Sequence, residues 1–187
     1  MGRVSQAQAR ENRRRVVETA SRLFREQGTH VSVADLMKAS GLTHGGFYKQ
    51  FASKEALVDE ATAHAFGELA RLQQDGLAQY AGQPAAAQRA LIDAYLSVEH
   101  RDNMADGCPV AALVTDMARV PGDREAHRVY TEGVGRFADR LATEDDEDGI
   151  TRLCALLGAL VLARATKGSP LSEDILTTVR TALTEPR

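Results

Sequence analysis

The side chains best suited to chemistry cluster in the stretch Ser32–Phe51, SVADLMKASGLTHGGFYKQF. Tyr48 and Lys49 carry a phenol and an ammonium donor, both matched to phosphate oxygens. His44 stands near the N-terminal end of the same short helical segment, the end from which such helices reach base edges. It is also a residue that often lies idle on a surface. Between them, Gly45 and Gly46 break a propensity rule, each costing about 1 kcal/mol relative to Ala in a helix. Two readings of the glycine pair stand side by side. The helix is simply short, irregular and held by its neighbours, or the missing side chains let the backbone approach DNA closely.

A second reactive candidate is Cys108, in Asp106-Gly107-Cys108-Pro109. Proline favours the first position of a helix, which puts Cys108 at or next to the N-cap. A helix N-terminus stabilises thiolate and raises sulfur reactivity, so Cys108 is a possible redox sensor. Asp106 opposes this by like charge, and a buried, inert thiol is the alternative. Cys154, on an apolar helix face, reads as core. Two cysteines with no CxxC exclude a disulfide framework and a zinc ribbon. No nucleophile motif, metal triad or glycine loop between strand and helix is present, so no catalytic residue, metal or cofactor is expected.

The elements that must position these groups are helices. Val33, Leu36 and Met37 recur at helical spacing, Ser32 with Asp35 forms an N-cap box, and Gly41 stops the helix. Thr43 can then cap a second short helix with Phe47 and Phe51 on its inner side. Helix, turn, helix is the geometry of a DNA-reading unit; an ordinary helical hairpin is the plainer alternative. Ahead of it, Val16, Val17, Ala20, Leu23 and Phe24 form the stripe of an amphipathic helix ending near Gly28. Ser5 or a neighbour can open that helix. Arg3, Arg10, Arg13, Arg14 and Arg15 either make a solvated face or meet phosphates. After it, Ser53 caps a further helix, with Glu55 in the first turn and Lys54 beside free backbone N–H groups, an anion site. Its stripe of Leu57, Val58, Ala61, Ala65, Leu69 and Leu72 carries it past residue 70.

Charge follows the same division. Residues 1–54 hold 10 Lys and Arg against 4 Asp and Glu, net +6, and the remainder 13 against 22, net −9. A basic first third on an acidic body suits an anionic partner for that third. With 187 residues and 43% hydrophobic composition, the chain can bury a core in one or two domains. No stretch is long and apolar enough for a membrane span, and the N-terminus is not signal-like, so a cytoplasmic protein is expected.

Helix one ending in LFREQG, then VSVADLMKASGLTHGGFYKQFASKEALVDEA, resembles the N-terminal domain of TetR-family transcriptional repressors. The residues that carry the likeness are Gly41, Thr43, Gly45, Phe47-Tyr48, Phe51 and Ser53-Lys54-Glu55-Ala56-Leu57, and it covers roughly residues 13–60. The resemblance implies that Thr43, Tyr48 and Lys54 contact DNA backbone or groove. It also implies an all-α chain with a three-helix DNA-binding domain over residues 1–69 and a helical domain over 70–187. That second domain would bind a small-molecule effector and form a homodimer. Repression is the family's usual mode, and a paired helix-turn-helix reads a palindromic double-stranded operator.

The second half reads as helices over Ala85–His100, Pro109–Arg119, Asp123–Ala142, Gly149–Thr166 and Leu171–Leu183, with an acidic loop at 144–148. The last two have wide apolar faces, including Leu176, that serve either as core or as a dimer seam; the resemblance favours the seam. Phe66, Tyr95, Met104, Met117, Tyr130 and Phe137 lie along the middle helices. They are core, or with His100 they line an effector pocket. A DNA-binding regulator released by a ligand is the expected function. A non-sensing DNA-binding protein and a Cys108-based sensor are the alternatives, and an enzyme fits poorly.

Overall fold

The computed structural model describes residues 6–142 and 148–185. Arg3, Ser5 and the acidic run at 144–147 lie outside the described residues. Among those described, the chain is helical and has no strand. The helices are α1 (Gln6–Gln27), α2 (Val33–Ala39), α3 (Lys54–Gln79), α4 (Pro84–Tyr95), α5 (Val98–Asp102), α6 (Pro109–Met117), α7 (Glu125–Leu141), α8 (Gly149–Ala165) and α9 (Pro170–Thr184). A 3-10 segment, His44–Lys49, stands between α2 and α3.

Two hydrophobic clusters organise these helices. The first gathers Val16, Ala20 and Phe24 of α1, Leu36 and Met37 of α2, Phe47 and Phe51, and Leu57 and Ala61 of α3. Leu113 and Met117 of α6 and Ala126 of α7 complete it. The second holds Phe66 of α3, Ile92 and Tyr95 of α4, Phe137 and Leu141 of α7, Leu156 and Leu160 of α8 and Leu176 of α9. Each large side chain so buried contributes about 1.5–3 kcal/mol. Helix α3 feeds both clusters, as its long apolar stripe requires. Helix α7 lies close to α8, because Gly149 leaves room where a Cβ would come 2.1 Å from the Ala138 carbonyl oxygen.

Three expectations change on contact with the structure. The helix expected over 85–100 breaks at Leu96–Ser97, where Ser97 turns extended and its Oγ accepts from the His100 N–H at 3.0 Å, capping α5. Leu176 is 2% exposed and faces the core, so it is not a seam residue. Cys154, expected in the core, is exposed. Its neighbours on that side of α8 are Ile150, Gly158, Val161, Leu162 and Ala165, all exposed. Periodicity places these residues on one face but does not say which face is covered.

Candidate functional site

The helix-turn-helix is built by local rules. Ser32 Oγ accepts from the Asp35 N–H at 3.1 Å and donates to the Asp35 carboxylate at 2.6 Å, fixing the start of α2. At its end Gly41 has φ +69, and Leu42 N–H and Gly41 N–H donate to the carbonyls of Met37 and Lys38. That pair of bonds with a left-handed glycine is a Schellman stop. Thr43 takes the N-cap position of the next segment with extended backbone, but its side chain makes no capping bond. The glycine pair leaves that segment as 3-10 rather than α, in keeping with its low helix propensity. A Cβ on Gly45 would meet nothing within 4 Å, whereas one on Gly46 would touch Met37 at 3.6 Å. Gly45 therefore faces open space and Gly46 faces the protein.

One side of this segment is anchored and the other is bare. Phe47 is fully buried and stacks on Phe51 with ring centroids 5.4 Å apart. Tyr48 is 66% exposed, held edge-on between Phe47 at 5.1 Å and His44 at 6.3 Å. Thr43, His44, Gly45 and Lys49 are exposed with it. Lys54 follows at the start of α3, whose cap is Ser53 Oγ accepting from the Ala56 N–H at 3.1 Å. The backbone N–H groups and the Ser53 hydroxyl at this terminus hold the Glu55 carboxyl below its ordinary pKa. The Glu55 carboxylate itself takes up donors at this terminus, in keeping with the preference of a helix N-terminus for negative charge.

The arginine cluster divides. Arg13 is committed inward: it sits 4.3 Å from the Phe51 ring centroid, donates to the Gln50 carbonyl and pairs with Glu60. It clamps the exit of the reading segment to α1 and α3. Arg14 pairs with Glu11 and Glu18 along its own helix. Arg10 and Arg15 are exposed.

In the second half a cavity of about 670 Å³ opens between α3, α4 and the loop leading to α6. Of the residues expected from the sequence, Tyr95, His100 and Phe137 line it, and so does Cys108. Met117 packs in the first cluster, and Met104 is 37% exposed. Phe66 is core, its ring edge-on to Tyr130 at 5.9 Å, while Tyr130 donates to the Val110 carbonyl at 2.8 Å. Sequence reasoning missed Arg25, Gln73 and Leu91 in the wall. No stripe or motif in the sequence singles them out.

Residues 16–61 match the family described as "Bacterial regulatory proteins, tetR family". Over these residues the chain carries a TetR-family N-terminal region. It is similar to the HTH-type transcriptional regulator AcrR of Shigella flexneri, with 29% identity over 93 residues, 49% of this chain and 43% of that protein. The match thus spans less than half the length of that relative. The whole fold is similar to a TetR transcriptional regulator from Chloroflexus aurantiacus, at TM-score 0.77 and 23% identity over 96% of this chain and 98% of that one. It is also similar to AibR in complex with isovaleryl coenzyme A and operator DNA, at TM-score 0.66 and 20% identity over 94% and 100% of the two chains. These likenesses to solved structures fix the fold alone.

Helix α6 links the cavity wall to the first hydrophobic cluster. Cys108 is the N-cap of α6 with Pro109 at its first turn, as the sequence predicts. The residue is buried, however, and burial pushes its thiol above the ordinary value despite the nearby Ala111 N–H and Tyr95 hydroxyl. The other end of α6 meets the turn after α1, where Asp116 accepts from Thr29 Oγ1 at 2.6 Å and Thr29 N–H at 3.2 Å. Helix α6 is therefore a short rod from cavity to reading head.

His100 fixes the near end of that rod. Its Nδ1 donates to the Tyr95 carbonyl at 2.7 Å and its Nε2 accepts from the Cys108 N–H at 3.1 Å. Both nitrogens are used in the neutral ring. Burial lowers its pKa, with Arg164 adding to that and the Tyr95 carbonyl opposing it. The folded state thus resists protonation more than the unfolded chain does. Its contribution is complete above the unfolded value of about 6.5 and is lost as pH falls below it. Melting temperature should fall as pH is lowered from about 6.5 to about 5, above the range where most carboxylates titrate. His100→Gln should flatten that slope, and an unchanged slope would show that His100 does not control it.

Proposed function

We propose that this protein is a homodimeric transcriptional repressor that binds a palindromic double-stranded operator and leaves it when a small molecule enters the cavity. Residues 1–69 are the reading head and 70–187 the sensing and pairing part. The observation that carries the reading is the bare side of the His44–Lys49 segment. Thr43, His44, Gly45, Tyr48 and Lys49 are all exposed there, while Phe47 and Phe51 lock the opposite side into the core. The fold of AibR, found with both isovaleryl coenzyme A and operator DNA, supports one architecture serving both partners. A reversible ligand is preferred over oxidation of Cys108, because burial disfavours its thiolate.

Selection of bound DNA from a random pool, followed by salt titration of the recovered site, tests the reading. Lys54→Ala should weaken all sequences alike and reduce the salt slope by about 1. His44 or Thr43 substitutions should instead change preference among sites. Unchanged affinity and slope for Lys54→Ala would remove that residue from the interface, and recovery of no DNA would remove the reading itself.

A further inference from the structure

The cavity contains two buried donors that make no well-formed hydrogen bond to the protein. Tyr95, on α4, is 7% exposed, and its hydroxyl makes no hydrogen bond of ordinary geometry; it is left against the Cys108 thiol, a weak acceptor. Gln73, on α3, has a buried Nε2 with no hydrogen-bond partner among the described residues. Both residues line the same space. A buried polar atom without a partner is expensive, and native folds keep few of them without a use. Two such donors, from two helices that face one cavity, point to an occupant that accepts from both.

The remaining wall sets the rest of that occupant's chemistry. Leu69, Ala87, Leu91 and Phe137 make it apolar. The one guanidinium among the described lining residues, Arg25, is already paired with Glu68 at 2.8 Å and donates to the Gly107 carbonyl at 3.3 Å. Asp106 is paired with Arg22, and both ring nitrogens of His100 are in use. Arg164, behind His100, donates to the carbonyls of His100 and Arg101. No unmatched cation among the described lining residues is left to hold a carboxylate or a phosphate.

Resting on the reading of this cavity as the effector site, we infer that the effector is a neutral, mostly apolar molecule bearing a carbonyl oxygen, of the ketone, ester or quinone class. The Tyr95 hydroxyl and the Gln73 amide donate to its oxygens, and the leucine and phenylalanine wall covers its body. Neither donor has more than a weak partner in the protein itself, so removing either one does the fold little harm.

Calorimetric titration of the full chain with three probes tests this. Benzophenone has the carbonyl, diphenylmethane lacks it, and 2-benzoylbenzoate adds a carboxylate. Wild type should bind benzophenone at least tenfold more tightly than either of the others. Tyr95→Phe and Gln73→Leu should each cut that preference by about tenfold, the worth of one hydrogen bond at the upper end of its usual range. Both variants should melt, without ligand, at or above the wild-type temperature. A lowered melting temperature for Tyr95→Phe would show a hydroxyl already satisfied and overturn the inference. So would equal binding of the three probes, tighter binding of the carboxylate, or binding of none. The regulator reading fails by a different measurement, the recovery of no DNA from a random pool.

Discussion

Val161→Glu is expected to yield a folded monomer that binds its operator at least a hundredfold more weakly than the wild type. The face of α8 that carries Ile150, Cys154, Gly158, Val161, Leu162 and Ala165 is exposed and has no charge over its whole length. Ile150 is 71% and Leu162 56% exposed. A charge-free apolar stripe of this length marks an interaction surface rather than a solvated one. The small residues Cys154, Gly158 and Ala165 let a second helix come near, so a copy of the same face fits against it. Glutamate at 161 places two carboxylates at that seam and buries them unpaired, which association cannot tolerate. Losing the second head removes the gain from linked binding, of order 10²–10⁴. Because Val161 is 40% exposed in the single chain, the substitution leaves the fold intact. Sedimentation together with operator titration checks both halves. A dimeric Val161→Glu protein, or a monomer with full affinity, would show that this face is not the seam.

The reading unit was legible in the sequence because it is made by neighbours. Ser32 with Asp35, the stop at Gly41 and the cap at Ser53 each act within three or four residues, and such rules survive without knowledge of the fold. Contacts across the chain were not legible. Arg13 looked like one of a run of surface arginines, yet it clamps Gln50 and Glu60, 37 and 47 residues away. Leu113 and Met117 lie on an apolar helix of the second half but pack under the first. Periodicity tells which side chains share a face. It does not tell which neighbour that face meets, so Leu176 is buried and Cys154 exposed, each the reverse of the expectation. The cavity was half visible for the same reason. Tyr95, His100 and Phe137 are middle-helix residues, as expected of a wall, while Arg25 and Gln73 arrive from α1 and α3.

Arg25→Met should cost about 3 kcal/mol of stability, and Arg25→Met combined with Glu68→Leu should restore more than half of it. The Arg25 side chain is 4% exposed and crosses from α1 to α3 and to the cavity loop. Its Nη2 pairs with Glu68 at 2.8 Å, Nη1 donates to the Gly107 carbonyl at 3.3 Å, and Nε donates to the Ser21 carbonyl at 3.2 Å. Removing the guanidinium alone leaves Glu68, itself about two-thirds covered, without its counter-charge. Removing both charges leaves a site that apolar side chains can fill, which is often neutral in net stability. The pair is thus a positioning device more than a source of stability. It ties the reading head to the wall of the cavity, next to the N-cap of α6. The double variant should therefore fold and bind DNA while its DNA affinity responds less to a cavity ligand, since a ligand shifts only states to which it binds differently. Urea denaturation of wild type, single and double variants decides the first part. A double variant no more stable than the single one would assign Arg25's worth to the Gly107 and Ser21 carbonyls instead of to Glu68.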